Sequence, residues 1–198
     1  MGRVRAYIGI GANVGDPAGT LAAAVHALAA LPGARLLGVS RLYATDPVGV
    51  LDQPEFRNAC VALEVPMGPD PVTGAVALLI GLKGLERSFG RQTRERWGPR
   101  EVDLDLLVFG RHRVDTARPP EGRSDDPAKA TLPLVVPHVE AQRRLFVLAP
   151  LSDLAPGLRP PGWGETVGSA TARQREVEGA DAVRPIALWG GGGWVPLG

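Results

Sequence analysis

Two aspartates separated by a single residue are the most chemically distinctive feature of this sequence. Asp103 and Asp105 lie in the otherwise apolar stretch 102–109. Residues i and i+2 of a strand point to the same face, about 6.5–7 Å apart along the chain. Two like charges beside apolar neighbours repel each other, and a bound cation relieves that repulsion. Magnesium prefers one or two carboxylates together with substrate phosphates, so the pair is a candidate magnesium site. The alternative is the solvated polar face of an edge strand.

A cluster of arginines directly precedes this acidic pair. Guanidinium groups are planar and always charged, and they suit phosphate oxygens. Metal-bridged phosphoryl transfer needs cations that take up the charge that develops as the bond breaks. The order of arginines and carboxylates therefore predicts phosphoryl-transfer chemistry on a lid that ends at Gly98-Pro99, although the charges around Glu95 also fit a solvated loop. The arginines are Arg87, Arg91, Arg94, Arg96 and Arg100.

Other chemical motifs are weaker. The glycines Gly9, Gly11 and Gly15 follow a predicted strand, but their spacing does not match a dinucleotide fingerprint, and no phosphate-binding P-loop sequence exists. The lone Cys60 lies in an apolar run and is expected to be a small buried side chain. His138 precedes a predicted helix start, where a phosphate contact is feasible, although a lone histidine is more often structural.

The composition bounds the class of protein. The chain has 198 residues, 44% of them apolar, and a formal net charge of +1. This balance is typical of a soluble globular protein and shows no electrostatic bias towards nucleic acid or a membrane. No run approaches the roughly 20 apolar residues of a membrane span, and the N-terminus does not resemble a signal peptide. We expect a cytoplasmic protein.

The elements that must position these residues follow from hydrophobic periodicity and turn signals. Strands are predicted at 4–10, 35–44, 56–65 and 102–109, with a short strand end near 135–138. Helices are predicted from Asp16-Pro17 to residue 31, at 71–89 and at about 139–149. The order β-α-β-β-α-β predicts a ferredoxin-like α+β fold, with an antiparallel sheet and helices packed on one face.

Two segments stand apart from this plan. Residues 111–132 are rich in proline, glycine and charge, and they are predicted to form an exposed insertion. The amino-acid composition changes again after Pro156 and becomes rich in proline, glycine and tryptophan. We predict a domain at 1–161, followed at 162–198 by a Pro/Gly-rich C-terminal extension of unknown role. Its tryptophans would cap the core, form a subunit contact or lie in a disordered tail.

Taken together, these residues resemble the 6-hydroxymethyl-7,8-dihydropterin pyrophosphokinase family of folate biosynthesis. The most specific block runs from Arg96-Trp-Gly-Pro-Arg100 into Val102-Asp-Leu-Asp-Leu106. Other matching stretches, in family order, are Tyr7–Asn13, Tyr43–Pro47, Asp52–Asn58, Glu86 with Gly90-Arg91, Val136-Pro137-His138, and Arg144–Phe146 before Ala149-Pro150-Leu151. The resemblance covers about residues 4–160.

On the ATP side, the resemblance implies transfer of the terminal pyrophosphate of ATP to the pterin's hydroxymethyl oxygen, which yields AMP. Asp103 and Asp105 would hold two magnesium ions across the triphosphate. Arg91 and Arg100 would be catalytic and bind phosphates. The further ATP-binding residues would be Glu86, His138 and Trp97, the last on the mobile lid.

On the pterin side, the same resemblance implies that Phe56 and Phe146 sandwich the flat ring and that Asn58 hydrogen-bonds its edge. An aromatic and an amide two residues apart on a strand share one face and suit a flat heterocycle. Without the resemblance, Phe56 would be assigned to core packing. The remaining pterin-side residues would be Thr45, Asp46, Val48 and Arg144.

The sequence departs from the family at several positions. Asp46 stands where proline is frequent, and the lid is one residue shorter, so the counterpart of Arg94 is ambiguous. Pro133 and Val135 occupy places where many relatives have an arginine and a threonine that contact the nucleotide. Compensation by the insertion, through Arg118, Arg123 or Lys129, is one solution.

Two alternatives come from other functional classes. A ferredoxin-like RNA-binding module would use strand aromatics as stacking platforms, but it predicts an excess of positive charge that the sequence lacks. A catalytically retired paralogue would keep the fold as an interaction surface, but the acidic pair and its arginines are intact. The sequence does not define the oligomeric state.

Overall fold

The computed structural model describes residues 2–46, 54–90, 101–124 and 130–198. The helices are α1 (Pro17–Ala29), α2 (Pro71–Ser88), α3 (Leu145–Leu154) and α4 (Val167–Glu178). The strands are β1 (Arg3–Ala12), β2 (Arg35–Val39), β3 (Leu42–Thr45), β4 (Phe56–Pro66), β5 (Asp103–Phe109), β6 (Val114–Thr116), β7 (Leu134–Val136), β8 (Val183–Trp189) and β9 (Trp194–Pro196). Among these residues, no helix is both long enough and apolar enough to cross a membrane.

The first two helices begin where the sequence predicts. Asp16 accepts a hydrogen bond from the backbone N–H of Gly19 at 3.0 Å and so caps α1. Asp70 caps α2 in the same way and accepts from the N–H of Thr73 at 3.0 Å. A proline follows each cap, at a position where the missing amide donor is not needed. These caps fix where both helices leave the sheet.

The main sheet is antiparallel and contains the predicted ferredoxin-like core. Its strand order is β5-β1-β4-β3-β8-β9, and β2 pairs with the other half of β4. Because β4 has 11 residues, β2 and β3 can both pair with the same side of β4, one after the other along its length. A separate two-stranded sheet is formed by β6 and β7. The predicted fold class is therefore confirmed.

The sheet is covered on both faces, not on one as predicted. Alternate residues of β1, such as Ile8 and Ile10, pack with α1 and α2 in the larger core. Tyr7, which precedes Ile8 and points to the opposite face, packs with Cys60, Leu107 and Leu151 of α3 in a second cluster. The order β-α-β-β-α-β accounts for only two helices, and α3 comes later in the chain. The predicted residues Asp103, Asp105 and Asn58 lie on the face that α3 partly covers.

Two predicted elements have different bounds in the structure. The strand predicted at 35–44 is interrupted at residues 40–41, where the chain passes from β2 to β3. The helix predicted at about 139–149 begins only at Leu145, because Arg144 is extended (φ −128°, ψ 111°) and a short 3₁₀ turn at Ala141–Arg143 precedes it. It also continues past Pro150, which is buried within the helix although proline lacks the amide donor.

The predicted Pro/Gly-rich C-terminal extension is not confirmed. Residues after 162 form α4, β8 and β9, and β8 joins the main sheet beside β3. Trp189 and Trp194 pack edge to face, with ring centroids 4.8 Å apart, and the indole N–H of Trp194 donates to the carbonyl oxygen of Ser40 at 3.3 Å. Both tryptophans pack against the larger core. The capping alternative for the tryptophans is therefore the one observed.

Candidate active site

The acidic pair lies on β5, opposite two glycines of β1. Asp103 pairs with Gly11, and Asp105 pairs with Gly9. Directly paired residues of an antiparallel sheet present their side chains on the same face. Both aspartates are partly exposed, whereas Leu104 between them is fully buried in the larger core. The sheet therefore presents the two carboxylates on one face, each beside a residue that has no side chain of its own.

This arrangement fits a magnesium–triphosphate complex better than a metal site built by protein alone. Within the described part of the chain, no group of three or more His, Cys, Asp or Glu side chains could hold a metal ion. A Cβ atom on Gly11 would lie 2.9 Å from Asn58 Oδ1, so the glycine allows the Asn58 amide to lie beside the acidic pair. Two carboxylates suit an ion whose remaining ligands are substrate phosphates.

A buried ion pair lies directly behind the acidic pair. Lys83 and Glu86 on α2 are only 5% and 1% exposed, and Lys83 Nζ lies 2.8 Å from Glu86 Oε1. Glu86 Oε1 also accepts from the backbone N–H of Leu104 at 2.8 Å, and Lys83 Nζ donates to the Leu104 carbonyl oxygen at 3.4 Å. Helix α2 is therefore hydrogen-bonded to the backbone of Leu104, the residue between the two aspartates. Lys83 and Glu86 are three residues apart on an otherwise apolar helix, and this spacing is the signal in the sequence that indicates the ion pair.

The predicted pterin-side residues of β3 and β4 meet at one point of the sheet. Asn58 is buried, and its Nδ2 donates to Thr45 Oγ1 at 2.8 Å. Thr45 pairs with the partly exposed Phe56. Because β1 separates β4 from β5, Gly11 has Asn58 as its partner on one side and Asp103 on the other. The predicted pterin-binding and metal-binding residues are therefore neighbours across a single strand.

Gly11 is expected to be intolerant of any side chain. Gly11→Ala places a methyl group against Asn58 Oδ1 and forces the amide away from Thr45. Since one lost hydrogen bond is worth about 1 kcal/mol, we expect the KM for the pterin substrate that the resemblance implies to rise about fivefold to tenfold. Gly84→Ala is the matched control, because nothing lies within 4 Å of its new Cβ. Steady-state kinetics check this, and equal KM values for both variants would contradict it.

Phe146 lies at the start of α3, on the face that carries Asn58. It packs against a buried cluster of Tyr43, Leu145 and Val183, and the guanidinium carbon of Arg144 lies 5.9 Å from its ring centroid. The ring of Phe146 is partly exposed. The structure thus brings Phe146 and Arg144 next to β3, whose Thr45 contacts Asn58.

The C-terminal end of α3 is linked to β3 by side-chain contacts that the sequence did not predict. Arg41 makes a close two-nitrogen ion pair with Asp153 of α3, and the Tyr43 hydroxyl lies 3.0 Å from both Asp153 carboxylate oxygens. Burial and the neighbouring Asp153 carboxylate raise the pKa of Tyr43, so the phenol stays protonated and donates. These partners are more than 100 residues apart, and no local pattern indicates them.

His138 is connected to the acidic strand. Its backbone N–H donates to the carbonyl oxygen of Leu107 at 2.9 Å, and its Nδ1 accepts from the N–H of Glu140 at 3.3 Å. Leu107 is two residues beyond Asp105 on β5. The backbone of the partly exposed His138 is thus held to β5 two residues beyond Asp105, and its contact with the nucleotide stays a prediction.

Arg118, which the sequence offered only as one of three compensating residues, interacts electrostatically with Asp105. It is half-buried, and its Nε donates to the carbonyl oxygen of Pro133 at 3.3 Å. Burial lowers the pKa of Arg118, and the carboxylates of Asp105 and Glu86 act in the opposite direction. Arg118 and Arg123 line a cavity of about 480 Å³ together with residues 115–117 and 130–133. A guanidinium therefore stands beside Pro133.

Several predicted site residues lie outside the described residues. They are Val48, Arg91, Trp97 and Arg100, together with Arg94, Arg96 and Lys129. Cys60 is fully buried, and burial raises the pKa of its thiol, which agrees with the predicted structural role.

Comparison with known proteins gives consistent matches. Residues 7–156 match the family model of 7,8-dihydro-6-hydroxymethylpterin-pyrophosphokinase (HPPK). A Pseudomonas aeruginosa protein named 2-amino-4-hydroxy-6-hydroxymethyldihydropteridine pyrophosphokinase is 41% identical over 157 residues, which are 79% of this chain and 84% of that protein. A protein of the same name from Methylorubrum extorquens is 39% identical over 169 residues, or 85% and 92% of the two chains.

Solved structures share the fold. An HPPK-DHPS structure in complex with substrates has a TM-score of 0.71 at 13% identity and covers 99% of this chain. Wild-type Plasmodium falciparum HPPK-DHPS with pteroate gives a TM-score of 0.71 at 14% identity, also over 99% of this chain. The chain spans about half the length of these two solved chains (49% and 48%). At this identity the likeness shows the fold alone.

Proposed function

This chain belongs to the 7,8-dihydro-6-hydroxymethylpterin-pyrophosphokinase family, and we propose how its own residues carry out the reaction of that family. It is an ATP-dependent diphosphotransferase that passes pyrophosphate from ATP to hydroxymethyldihydropterin in folate biosynthesis. In this transfer a bond forms between the hydroxymethyl oxygen and the β-phosphorus of ATP. The bond from that phosphorus to the α–β bridging oxygen breaks, and AMP leaves.

Asp103 and Asp105 are the proposed magnesium-binding residues, with two ions across the triphosphate. The observation that carries this assignment is the pairing of both aspartates with glycines of β1, which places the two partly exposed carboxylates on one face of the sheet. Magnesium would neutralise charge that develops on the phosphates. Glu86 is the proposed positioning residue for the strand, since it holds the Leu104 N–H between the two carboxylates. Its direct contact with ATP stays a prediction.

The pterin is proposed to lie between Phe56 and Phe146, with its polar edge towards Asn58. The hydrogen bond from Asn58 Nδ2 to Thr45 Oγ1 leaves the amide oxygen directed towards Gly11. An amide presents a donor and an acceptor, as the edge of a pterin does. Since β1 alone separates Asn58 from Asp103, the ring's hydroxymethyl group would reach the phosphates that the acidic pair holds. Arg144, Asp46 and Val48 remain predicted pterin-side residues.

Phosphate charge is proposed to be balanced by arginines from two parts of the chain. Arg91 and Arg100 are predicted from the family resemblance, with Trp97 on the same segment and His138 on the nucleotide side. Arg118 adds a third cation, supported by its half-buried place beside Pro133 and its electrostatic interaction with Asp105. Guanidinium groups in such a place bind phosphate oxygens through charged hydrogen bonds.

Removal of Arg118 is expected to weaken ATP binding selectively. Hydrogen bonds to charged groups are worth about 1.5–3 kcal/mol, so Arg118→Ala should raise the KM for ATP about tenfold to a hundredfold. Arg123→Ala is the matched control, because Arg123 lines the same cavity but is exposed. Titration of ATP at saturating pterin measures the difference. An Arg118→Ala enzyme with a KM within about twofold of the wild type would refute this role.

Product analysis tests the proposed reaction. The protein is mixed with ATP, magnesium and hydroxymethyldihydropterin, and nucleotides are separated by chromatography. We expect AMP and pterin pyrophosphate in equal amounts. ADP in place of AMP, or no turnover, would overturn the assignment.

The remaining expectations on partners and location are proposals. We propose the cytoplasm as the location. The RNA-binding alternative is not favoured, because the sheet face that it needs carries Asp103 and Asp105. The retired-paralogue alternative is set aside because the chain is a family enzyme with both aspartates in place.

A further inference from the structure

The C-terminal segment 167–189, made of α4 and β8, touches the pterin half of the site at two separate points. It lies entirely beyond residues 7–156, which match the family model. Its function is therefore not given by that match. The two contacts involve Glu178 at the end of α4 and Arg184 on β8.

Glu178 caps the N-terminus of α3. The residue that precedes the helix, Arg144, provides no side-chain cap. In its place, Glu178 Oε1 accepts a hydrogen bond from the backbone N–H of Leu145 at 3.0 Å, and Gln174 Nε2 holds the same oxygen at 2.8 Å. A carboxylate at a helix N-terminus satisfies a free amide and interacts favourably with the helix dipole. The capped turn carries Phe146, the proposed stacking residue.

Arg184 holds the strand ends that carry the other pterin-side residues. Strand β8 pairs with β3, with Val183 opposite Thr45 and Arg184 opposite Ala44. The Arg184 guanidinium forms ion pairs with Asp46, at 3.4 Å, and with Glu55. These acids immediately follow Thr45 and immediately precede Phe56, which are paired with each other.

An apolar cluster connects the contact made by Glu178 with the contact made by Arg184. Val183 of β8 is buried in one cluster with Tyr43 of β3 and Leu145 of α3, and Phe146 packs against that cluster. The segment therefore links both proposed walls of the pterin site, the one on β3–β4 and the one on α3. The same links leave the acidic pair on β5 untouched, because β1 and β4 lie between β5 and β3.

We propose that segment 167–189 positions the pterin-binding side chains, with Glu178 and Arg184 as its positioning residues. This inference rests on the proposed pterin site and names the elements that hold it in place. If the pterin-binding side chains are not held in place before the pterin binds, part of the free energy of pterin binding is used to order them. The affinity for the pterin then falls. The effect should fall on the pterin and not on ATP.

Kinetics of single variants test the proposal. We expect Glu178→Ala and Arg184→Ala each to raise the KM for hydroxymethyldihydropterin about fivefold, with the KM for ATP within about twofold of the wild type. Glu178→Gln keeps an oxygen acceptor for Leu145 and should stay close to the wild type. Glu176→Ala is the control for Glu178, on the same helix and exposed. Arg35→Ala is the control for Arg184, since it breaks an exposed ion pair with Glu64, eight residues along β4 from Phe56.

The outcomes separate this inference from the proposed function. A wild-type protein that yields no AMP would contradict the proposed function itself. A normal wild type with Glu178→Ala and Arg184→Ala variants of unchanged pterin KM would overturn the inference alone. Equal rises in the KM for both substrates would also overturn it, because they would indicate general destabilisation. Tm values of all variants, and the recovery expected for Glu178→Gln, distinguish lost positioning from lost folding.

Discussion

Replacement of either aspartate of the acidic pair is expected to abolish turnover while pterin binding is nearly unchanged. Asp103→Ala and Asp105→Ala each remove a proposed magnesium ligand from β5. Metal ions contribute several kcal/mol of transition-state stabilisation, and each 1.36 kcal/mol is tenfold in rate, so kcat should fall at least about a thousandfold. The pterin side should be unaffected, because Asn58 and Thr45 lie across β1 and hydrogen-bond each other.

The isosteric variants Asp103→Asn and Asp105→Asn separate charge from shape. Both keep the side-chain volume on β5, and neither provides a carboxylate. We expect them to be as inactive as the alanine variants and to need far more magnesium for ATP to bind, which calorimetry measures without turnover. Pterin affinity, measured by equilibrium binding, should stay within about twofold of the wild type. Near-normal activity of either asparagine variant would show that the residue does not bind the metal.

The second large effect is on stability. Glu86→Ala leaves the Lys83 ammonium buried without its carboxylate and removes the acceptor for the Leu104 N–H. Breaking a buried ion pair in this way costs about 3–5 kcal/mol, which we expect as the loss in the free energy of unfolding. Urea denaturation monitored by fluorescence measures it. Turnover should also fall, since Leu104 lies between the two aspartates.

The double variant Lys83→Met, Glu86→Leu is the control for this effect. Replacement of both charges by apolar side chains leaves no unpaired ion, so it should be much closer to the wild type in stability than Glu86→Ala. A Glu86→Ala protein that loses less than about 1 kcal/mol would show that the buried pair does not hold α2 to β5.

Much of the core was predictable because its signals are local. Asp16 and Asp70 precede prolines and act as helix caps, as their residue types indicate. The alternation in β4 places Asn58 and Cys60 on one face, and the structure agrees, since Cys60 packs in the cluster of α3. The acidic pair is on a strand with Leu104 buried between the carboxylates, as its spacing predicts.

The missed features depend on distant partners. Arg184 meets Glu55 across 129 residues, and Arg41 meets Asp153 across 112, so no window of sequence shows either contact. The place of Arg118 depends on the pairing of β6 with β7, which brings Pro133 alongside it. The C-terminal glycines and tryptophans left core capping, a subunit contact and disorder open, because composition does not indicate strand pairing with β3.

The fate of each phosphorus of ATP tests the central claim most directly. ATP labelled in turn at the α, β and γ positions is incubated with the protein, magnesium and hydroxymethyldihydropterin, and the label in each product is counted. We expect the α label in AMP and both the β and γ labels in the pterin product. Label from γ alone in the pterin product, with α and β retained in ADP, would contradict pyrophosphate transfer at this site.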